Sequence, residues 1–328
     1  MAAPPIHVAL ACCLTSTLDG IERASGTPSG GIVRPQLRPG LQVLRRDLHT
    51  VQLGLDWPGV TVLPDSPALQ AVLDAVDGIR DVAAVVLTAA GRPEVTLEAA
   101  QAALDTLIDT GAVVDQAHHL RGSLSEPAWA ATWLLVGPEG RAADVVAART
   151  GRCVDVWGSG QVADHLRSLL PRVGLTQDPR TAELIVVAAD QEPSRSLSDH
   201  VMADGRPHLW AVVRELVGVL GPFVAPGTTA CLRCVDRART HHDPAWPTLV
   251  ESASLPRGQI HACDPLLATL VATWAALELS LWACDLQPQT WGRTIEIPFG
   301  VGNITLQRTE ADPACGCGWP LWQDTMGA

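Results

Sequence analysis

Two close pairs of cysteines, far apart along the chain, constrain its fold more than any other feature. Cys231-Leu232-Arg233-Cys234 follows the turn Pro226-Gly227, and Cys315-Gly316-Cys317 follows Asp312-Pro313. Four thiolates drawn together suit a tetrahedral metal site with Zn–S near ~2.3 Å, so the chain between them has to fold back on itself. A CxxC also serves as a redox dithiol, but there it usually opens the helix of a thioredoxin-type βαβ unit, and no such unit is read here. Structural zinc on Cys231, Cys234, Cys315 and Cys317 is therefore expected. The other five cysteines, Cys12, Cys13, Cys153, Cys263 and Cys284, lie in apolar settings and are read as packing residues. No Lys or Arg precedes the first apolar stretch, Ile6 to Leu14, which makes it a poor secretory signal. The expected compartment is the reducing cytoplasm, where clustered cysteines act as metal ligands rather than disulfides.

With 328 residues, 47% of them hydrophobic, the chain can build more than one core. A net charge of −12 repels phosphates, so no nucleic-acid partner is expected. Lysine and tyrosine are absent, and all 23 basic side chains are arginines. That excludes any mechanism that needs a lysine. Pro265 to Ala283 is apolar enough to suggest a membrane span, but it carries Glu278, Thr269, Thr273 and Ser280. A carboxylate inside a span costs a few kcal/mol or more, so a buried helix and no membrane partner are expected.

Residues 1–36 read as an N-terminal segment and linker, rich in Gly, Ser and Pro around Gly26 to Gly31. Gln42 to Leu48, Thr50 to Asp56 and Gly59 to Leu63 alternate as three short strands of a meander. Helical spacing follows. One helix starts from Ser66-Pro67, with Leu69, Val72, Leu73 and Val76 on one face, and ends at Gly78. A second spans Val82 to Ala89. A third is capped by Thr96, carries Leu97, Ala100, Leu104, Leu107 and Ile108, and is closed by Gly111. Three strands and then three helices within 37–116 make a winged-helix-like unit. Residues 117–130 read as a connection, and helical patches at 129–135 and 141–149 lead into a second domain within 117–328. There, Cys153 to Trp157 and the continuous apolar runs Ala182 to Ala189 and His208 to Val213 suit buried parallel strands of an α/β sheet.

Gly158-Ser159-Gly160-Gln161-Val162-Ala163 follows the first of these strands and matches a GxGxxA nucleotide fingerprint. Its glycines would let a phosphate approach a helix N-terminus. The alternative, favoured here, is a tight strand-to-helix turn. A ribose-holding acid is due about 20 residues on, and Asp178 is read in a loop rather than at a strand end. Asp190, at the tip of the apolar strand, is either a magnesium-holding carboxylate or a solvated strand-end residue. His241 and His242 follow the CxxC closely and are read as a surface turn, because four cysteines already fill a closed site.

Ala188-Ala189-Asp190, Val212 and the run from Gly221-Pro222-Phe223 through Cys231 to Cys234 resemble the ThiF/MoeB-type E1 superfamily. Its members adenylate the C-terminus of a ubiquitin-like partner and carry a four-cysteine zinc site. Asp243-Pro244-Ala245-Trp246-Pro247 and Asp312-Pro313-Ala314-Cys315-Gly316-Cys317 resemble an E1-like subgroup from peptide natural-product clusters. That subgroup binds the leader of a precursor peptide and presents it to a YcaO-type cyclodehydratase, which makes thiazolines and oxazolines. The resemblance covers roughly residues 37 to 325. Active E1 enzymes hold ATP with a ribose-binding acid, an arginine and a lysine between the glycine loop and the Asp190 position. Here only 29 residues separate Gly160 from Asp190, too few for a further βαβ unit, and lysine is missing altogether.

The fold so implied is α/β: an N-terminal winged-helix-like leader-binding unit, then a truncated Rossmann-like E1 domain with a four-cysteine zinc site. The function so implied is a non-catalytic E1-like protein that captures a leader for a YcaO-type cyclodehydratase. Zinc is its cofactor, Gly158, Gly160 and Asp190 are a vestigial nucleotide site, ATP is not expected, and a homodimer is compatible with it. A leader would add a strand at Val60, Thr61, Val62 and Leu63, whose stretch contains neither Lys nor Pro to blunt the edge. Leu97, Ala100, Gln101, Leu104 and Ile108 would form the other wall; of these residues Leu104 and Ile108 are read first as core, and Gln101, with Thr61, as exposed. The rival is a working adenylating enzyme using Gly158 to Ala163 and Asp190. An oxidoreductase using the glycine loop lacks a ribose-binding acid and a substrate constellation.

Overall fold

A computed structural model describes residues 33–55, 60–116, 125–136, 141–254, 262–300 and 302–318. The expectations for residues 1–32, Cys12 and Cys13 among them, and for Gly59 lie outside that set. The chain forms two compact units.

The first unit opens with β1 (Pro35–Leu37), followed by β2 (Val43–Arg45), β3 (Thr50–Leu53) and β4 (Thr61–Pro64). β2, β3 and β4 make an antiparallel sheet in that order, with Val51 opposite Leu63 and Leu53 opposite Thr61. Side chains alternate across a strand, so Val51, Leu53 and Leu63 share the buried face. Three helices cover it: α1 (Pro67–Ala75), α2 (Val82–Ala90) and α3 (Leu97–Asp109). Each starts where a side-chain oxygen accepts the orphan N–H three residues on. Ser66 takes that of Leu69 at 3.1 Å, Asp81 that of Ala84 at 2.8 Å and Thr96 that of Ala99 at 3.1 Å. Such caps contribute about 1 kcal/mol each. β5 (Val113–Asp115) returns antiparallel to β1 and ties the two ends of the unit together. The sequence reading missed this pair, because three-residue strands carry almost no periodicity.

A further helix, α4 (Glu126–Val136), groups with the first unit, together with residues 141–144. The boundary expected at 117 thus differs from the division into units, which leaves α4 with the first. Its buried Trp129 and Trp133 meet edge to face at 5.9 Å, an apolar anchor that the flat polarity pattern of 117–130 concealed.

The second unit takes in the rest of α5 (Arg141–Gly151) and then alternates: β6 (Cys153–Trp157), α6 (Gln161–Leu169), β7 (Thr176–Gln177), β8 (Leu184–Ala189), α7 (Arg195–Asp204), β9 (His208–Arg214) and β10 (Val217–Val224). α8 (Leu232–His242), α9 (Trp246–Ser254), α10 (Pro265–Ala283), β11 (Arg293–Pro298) and β12 (Thr305–Arg308) complete it. One mixed sheet of seven strands runs β12-β11-β10-β9-β8-β6-β7, parallel from β7 to β9 and antiparallel from β9 to β12. Period two splits its side chains. Val154, Val156, Leu184, Val186, Leu209, Ala211 and Ile295 pack on α6 and α10, while Ile185, Val187 and Trp210 pack beside the cysteine pairs.

α10 is long and apolar enough to cross a membrane by length and composition, yet it lies against this sheet. Gly218 of β10 is small because a Cβ there would stand 2.5 Å from the Cγ2 of Val271. Glu278, fully buried in α10, accepts bonds from the backbone N–H and the hydroxyl of Thr290, and burial pushes its pKa up toward the neutral acid. His241 and His242, read as a surface turn, instead close the last turn of α8, where a helix C-terminus favours basic side chains.

Candidate functional site

Cys231 is the N-cap residue of α8, and Cys234 lies in the first turn of that helix. The CxxC therefore does open a helix, but the strand before it, β10, is antiparallel to β9, so no βαβ unit is formed. Cys315 and Cys317 arrive in the turns after β12. The sulfurs of Cys231 and Cys234 are 3.8 Å apart, those of Cys231 and Cys315 3.6 Å, and those of Cys234 and Cys317 3.4 Å. All four lie within 4.8 Å of one another. A tetrahedron of thiolates around one ion has edges of about 3.8 Å, so the four-cysteine cluster is able to hold a metal ion. The Asp312 N–H donates to the Cys234 sulfur at 3.4 Å, and Arg237 holds Asp312 from behind at 2.5 Å. Such outer contacts orient ligands. Four thiols this close cannot all ionise unaided. Cys234 is drawn down to about 5 by the hydrogen bond from Cys231, and that same bond, with burial, holds the proton on Cys231. Burial and then Cys234 push Cys317 up to about 12. A dication would remove that mutual repulsion.

The glycine loop lies at the carboxyl end of β6 and leads into α6. Asp190, just beyond β8, reaches across to it. Its Oδ2 accepts the Gln161 N–H at 2.7 Å and its Oδ1 the Val162 N–H at 3.0 Å. A Cβ on Gly160 (φ +101°) would stand 2.4 Å from that Oδ2, and one on Gly158 (φ +117°) 2.0 Å from the Ala188 carbonyl oxygen. Both glycines are thus required by the protein's own β8 end. On the other side, the Gln161 side-chain amide donates to the Cys263 carbonyl at 3.1 Å. The Cys263 thiol is pushed up to about 11, first by burial and then by Asp190. Read from sequence as packing only, Cys263 is half-buried beside the loop. Asp190 is therefore half-buried and engaged with the loop rather than a solvated strand-end residue.

Asp178 lies in a loop, as expected, just past the two-residue β7, which pairs only with the start of β6, Thr176 opposite Cys153 and Gln177 opposite Val154. Asp178 therefore sits at the opposite end of β6 from the glycine loop, out of reach of a ribose bound there. The chain then goes from Gln177 to Leu184 without an intervening helix.

In the first unit, β4 is an edge strand among the described residues. The bond from the Asp65 N–H to the His49 carbonyl, 2.7 Å, sets its phase. Stepping back by twos, Leu63 and Thr61 exchange bonds with β3, while the N–H and C=O of Val62 face the open edge. Val62 is exposed, Val60 and Thr61 are half-buried and Leu63 is buried. On α3, Leu97 and Gln101 are exposed and Ile108 is half-buried. Ala100 and Leu104 are each 0% exposed and belong to the core, which agrees with the reading of Leu104 as a core member and corrects the place of Ala100 in a peptide-facing wall. They lie at i and i+4 on the face that joins the unit's apolar cluster.

A charged network beside the cysteines escaped the sequence reading. Arg195 grips Asp236 through Nε at 2.6 Å and Nη2 at 2.7 Å and also holds Glu192 at 2.7 Å. Trp246 donates its indole N–H to Asp236 at 2.9 Å, and Arg214 and Arg239 stack on its ring at 5.4 and 4.7 Å. Both arginines pair with Glu296. The signal was Trp246 within the quoted Asp243 to Pro247, but its partners lie in five other segments. The network pins α9 over a groove of about 770 Å³ lined by Ser194, Arg233, Arg237 and Glu251.

No protein-family model matches the chain, and no curated protein matches it. Solved structures do. The heterocyclase TruD aligns at a TM-score of 0.66 and 21% identity over 87% of this chain and 43% of its own. A heterocyclase in complex with substrate and cofactor aligns at 0.66 and 21% over 88% of this chain and 40% of its own. E. coli MccB with ATP aligns at 0.57 and 15% over 87% of this chain and 99% of its own. The chain has the fold of these proteins. It spans less than half the length of the heterocyclases and nearly all of MccB.

Proposed function

We propose that the chain is a non-catalytic, E1-like protein that binds the leader of a ribosomal precursor peptide and presents it to a YcaO-type cyclodehydratase for thiazoline or oxazoline formation. The fold shared with TruD and MccB supports a role among peptide-modifying proteins, and the open edge of β4 carries the reading. Its unpaired Val62 N–H and C=O are what an extended peptide needs to add a strand. The first unit is then a winged-helix-like recognition module, with the exposed Leu97 and Gln101 flanking the added strand. The second unit is a truncated Rossmann-like E1 domain. Hydrogen–deuterium exchange with a cognate leader is the test, with protection expected at residues 60–64 and around Leu97 and Gln101. Protection confined to residues 150–318 would overturn it.

The rival, adenylation as in proteins that take ATP, meets a glycine loop filled by Asp190, an acid at the wrong end of β6 and a chain without lysine. ATP–pyrophosphate exchange above background would reinstate it. In the cysteine cluster the ion proposed is zinc, since an all-thiolate tetrahedral set suits it. Purified protein should carry about one zinc per chain, and Cys317→Ser should lose it. Metal-free native protein with an unchanged melting midpoint refutes the assignment.

A further inference from the structure

Building on the reading of the second unit as one without nucleotide chemistry, we infer that Asp190 is a built-in stopper: its carboxylate occupies the anion seat at the start of α6 and bars phosphate groups from the glycine loop. A helix start presents unpaired N–H groups and a partial positive charge, and a phosphate-binding loop keeps them free for its ligand. Here two consecutive amides, Gln161 and Val162, are already bonded to the two oxygens of one carboxylate, at 2.7 and 3.0 Å. The loop is shaped around that group. Gly160 lacks the Cβ that would strike Oδ2 at 2.4 Å, and Gly158 lacks the one that would strike the Ala188 carbonyl at 2.0 Å. Asp190 directly follows β8, which is hydrogen-bonded on both edges, to β6 and to β9. The side chain therefore reaches the seat from the first position past a doubly paired strand. A phosphate approaching it meets a fixed negative charge where it needs donors, and gains nothing by displacing a group already bonded there.

The test uses the full chain, labelled with ¹⁵N, and inorganic tripolyphosphate as the probe. In the native protein the Gln161 and Val162 amides should not respond to millimolar tripolyphosphate. In Asp190→Ala the same two amides should shift saturably, and in Asp190→Asn, which keeps one acceptor but loses the charge, they should shift less. Native amides that respond as the variant's do, or variant amides that stay silent, overturn the inference. A second readout needs no ligand. Gly160→Ala should lower the melting midpoint in the native background and lower it less in the Asp190→Ala background, because the partner of the clash is gone. Equal losses in both backgrounds refute the contact. Leader binding measured alongside keeps the two ideas apart: a chain that binds no leader refutes the proposed function, while these two readouts alone decide the stopper.

Discussion

Single side chains in the second unit show how its polar atoms are kept inside. His208 opens β9 fully buried, with Nδ1 at 3.1 Å from the Arg206 carbonyl and no partner for Nε2 among the described residues. Burial lowers its pKa from 6.5 to about 4. The folded value lies below the unfolded one, so acid favours the unfolded chain. Stability is full above about pH 6.5 and drains as pH falls toward 4, by up to about 3 kcal/mol. Thermal melts from pH 7 to 4 should show this loss, and His208→Asn, which keeps a donor toward Arg206 but cannot titrate, should flatten it. An unchanged acid slope in the variant would assign the loss elsewhere. None of this was visible in the sequence, where His208 is one letter in an apolar run. The four cysteines were visible, because their spacing alone brings them in pairs.

Among elements, those with an unambiguous start were legible. Ser66 and Thr96 announced α1 and α3, and the runs ending in Trp157 and Ala189 announced β6 and β8. β10 was not read, because Gly218, Gly221 and Pro222 interrupt its pattern. Those residues answer to neighbours distant in sequence: Gly218 to Val271, and Gly221 to the Arg293 carbonyl, which a Cβ would meet at 2.3 Å. β11 and β12 are short and come after a helix, so periodicity said little of them. The phase of β4 was likewise beyond reach, since only the partner strand reveals which residues face out. It yields a prediction about proline. Val62→Pro removes an outward N–H and should weaken leader binding while the first unit still melts near its native midpoint. Thr61→Pro removes a bond to β3 and should lower that midpoint as well. Equal leader affinity of native chain and Val62→Pro in calorimetric titration would rule out strand addition at this edge.

For the molecule as a whole, the two units have separate apolar clusters, and the four-cysteine cluster belongs to the second. An ion held at about 100 times its dissociation constant stabilises the unit that binds it by about 2.7 kcal/mol. In a unit of 150–250 residues that is roughly 5–11 °C of melting midpoint. Chelation should lower one calorimetric transition by such an amount and leave the other in place; a common shift of both would mean that the units unfold together. The sequence pattern suggests two domains with a boundary at 116/117, whereas the membership of α4 in the first unit was not legible, because packing rather than polarity decides it. The site also has a history in time. Cys234 and Cys317 are 83 positions apart, with two helices and two strands of the second unit between them. At about 5–20 residues per second, a ribosome takes roughly 4–17 s to make the second pair after the first. Through that interval a nascent chain has half a ligand set and an unfinished sheet. The zinc proposed for this cluster would then be a receipt for synthesis through Cys317, and a chain cut short before it should leave the ribosome without one.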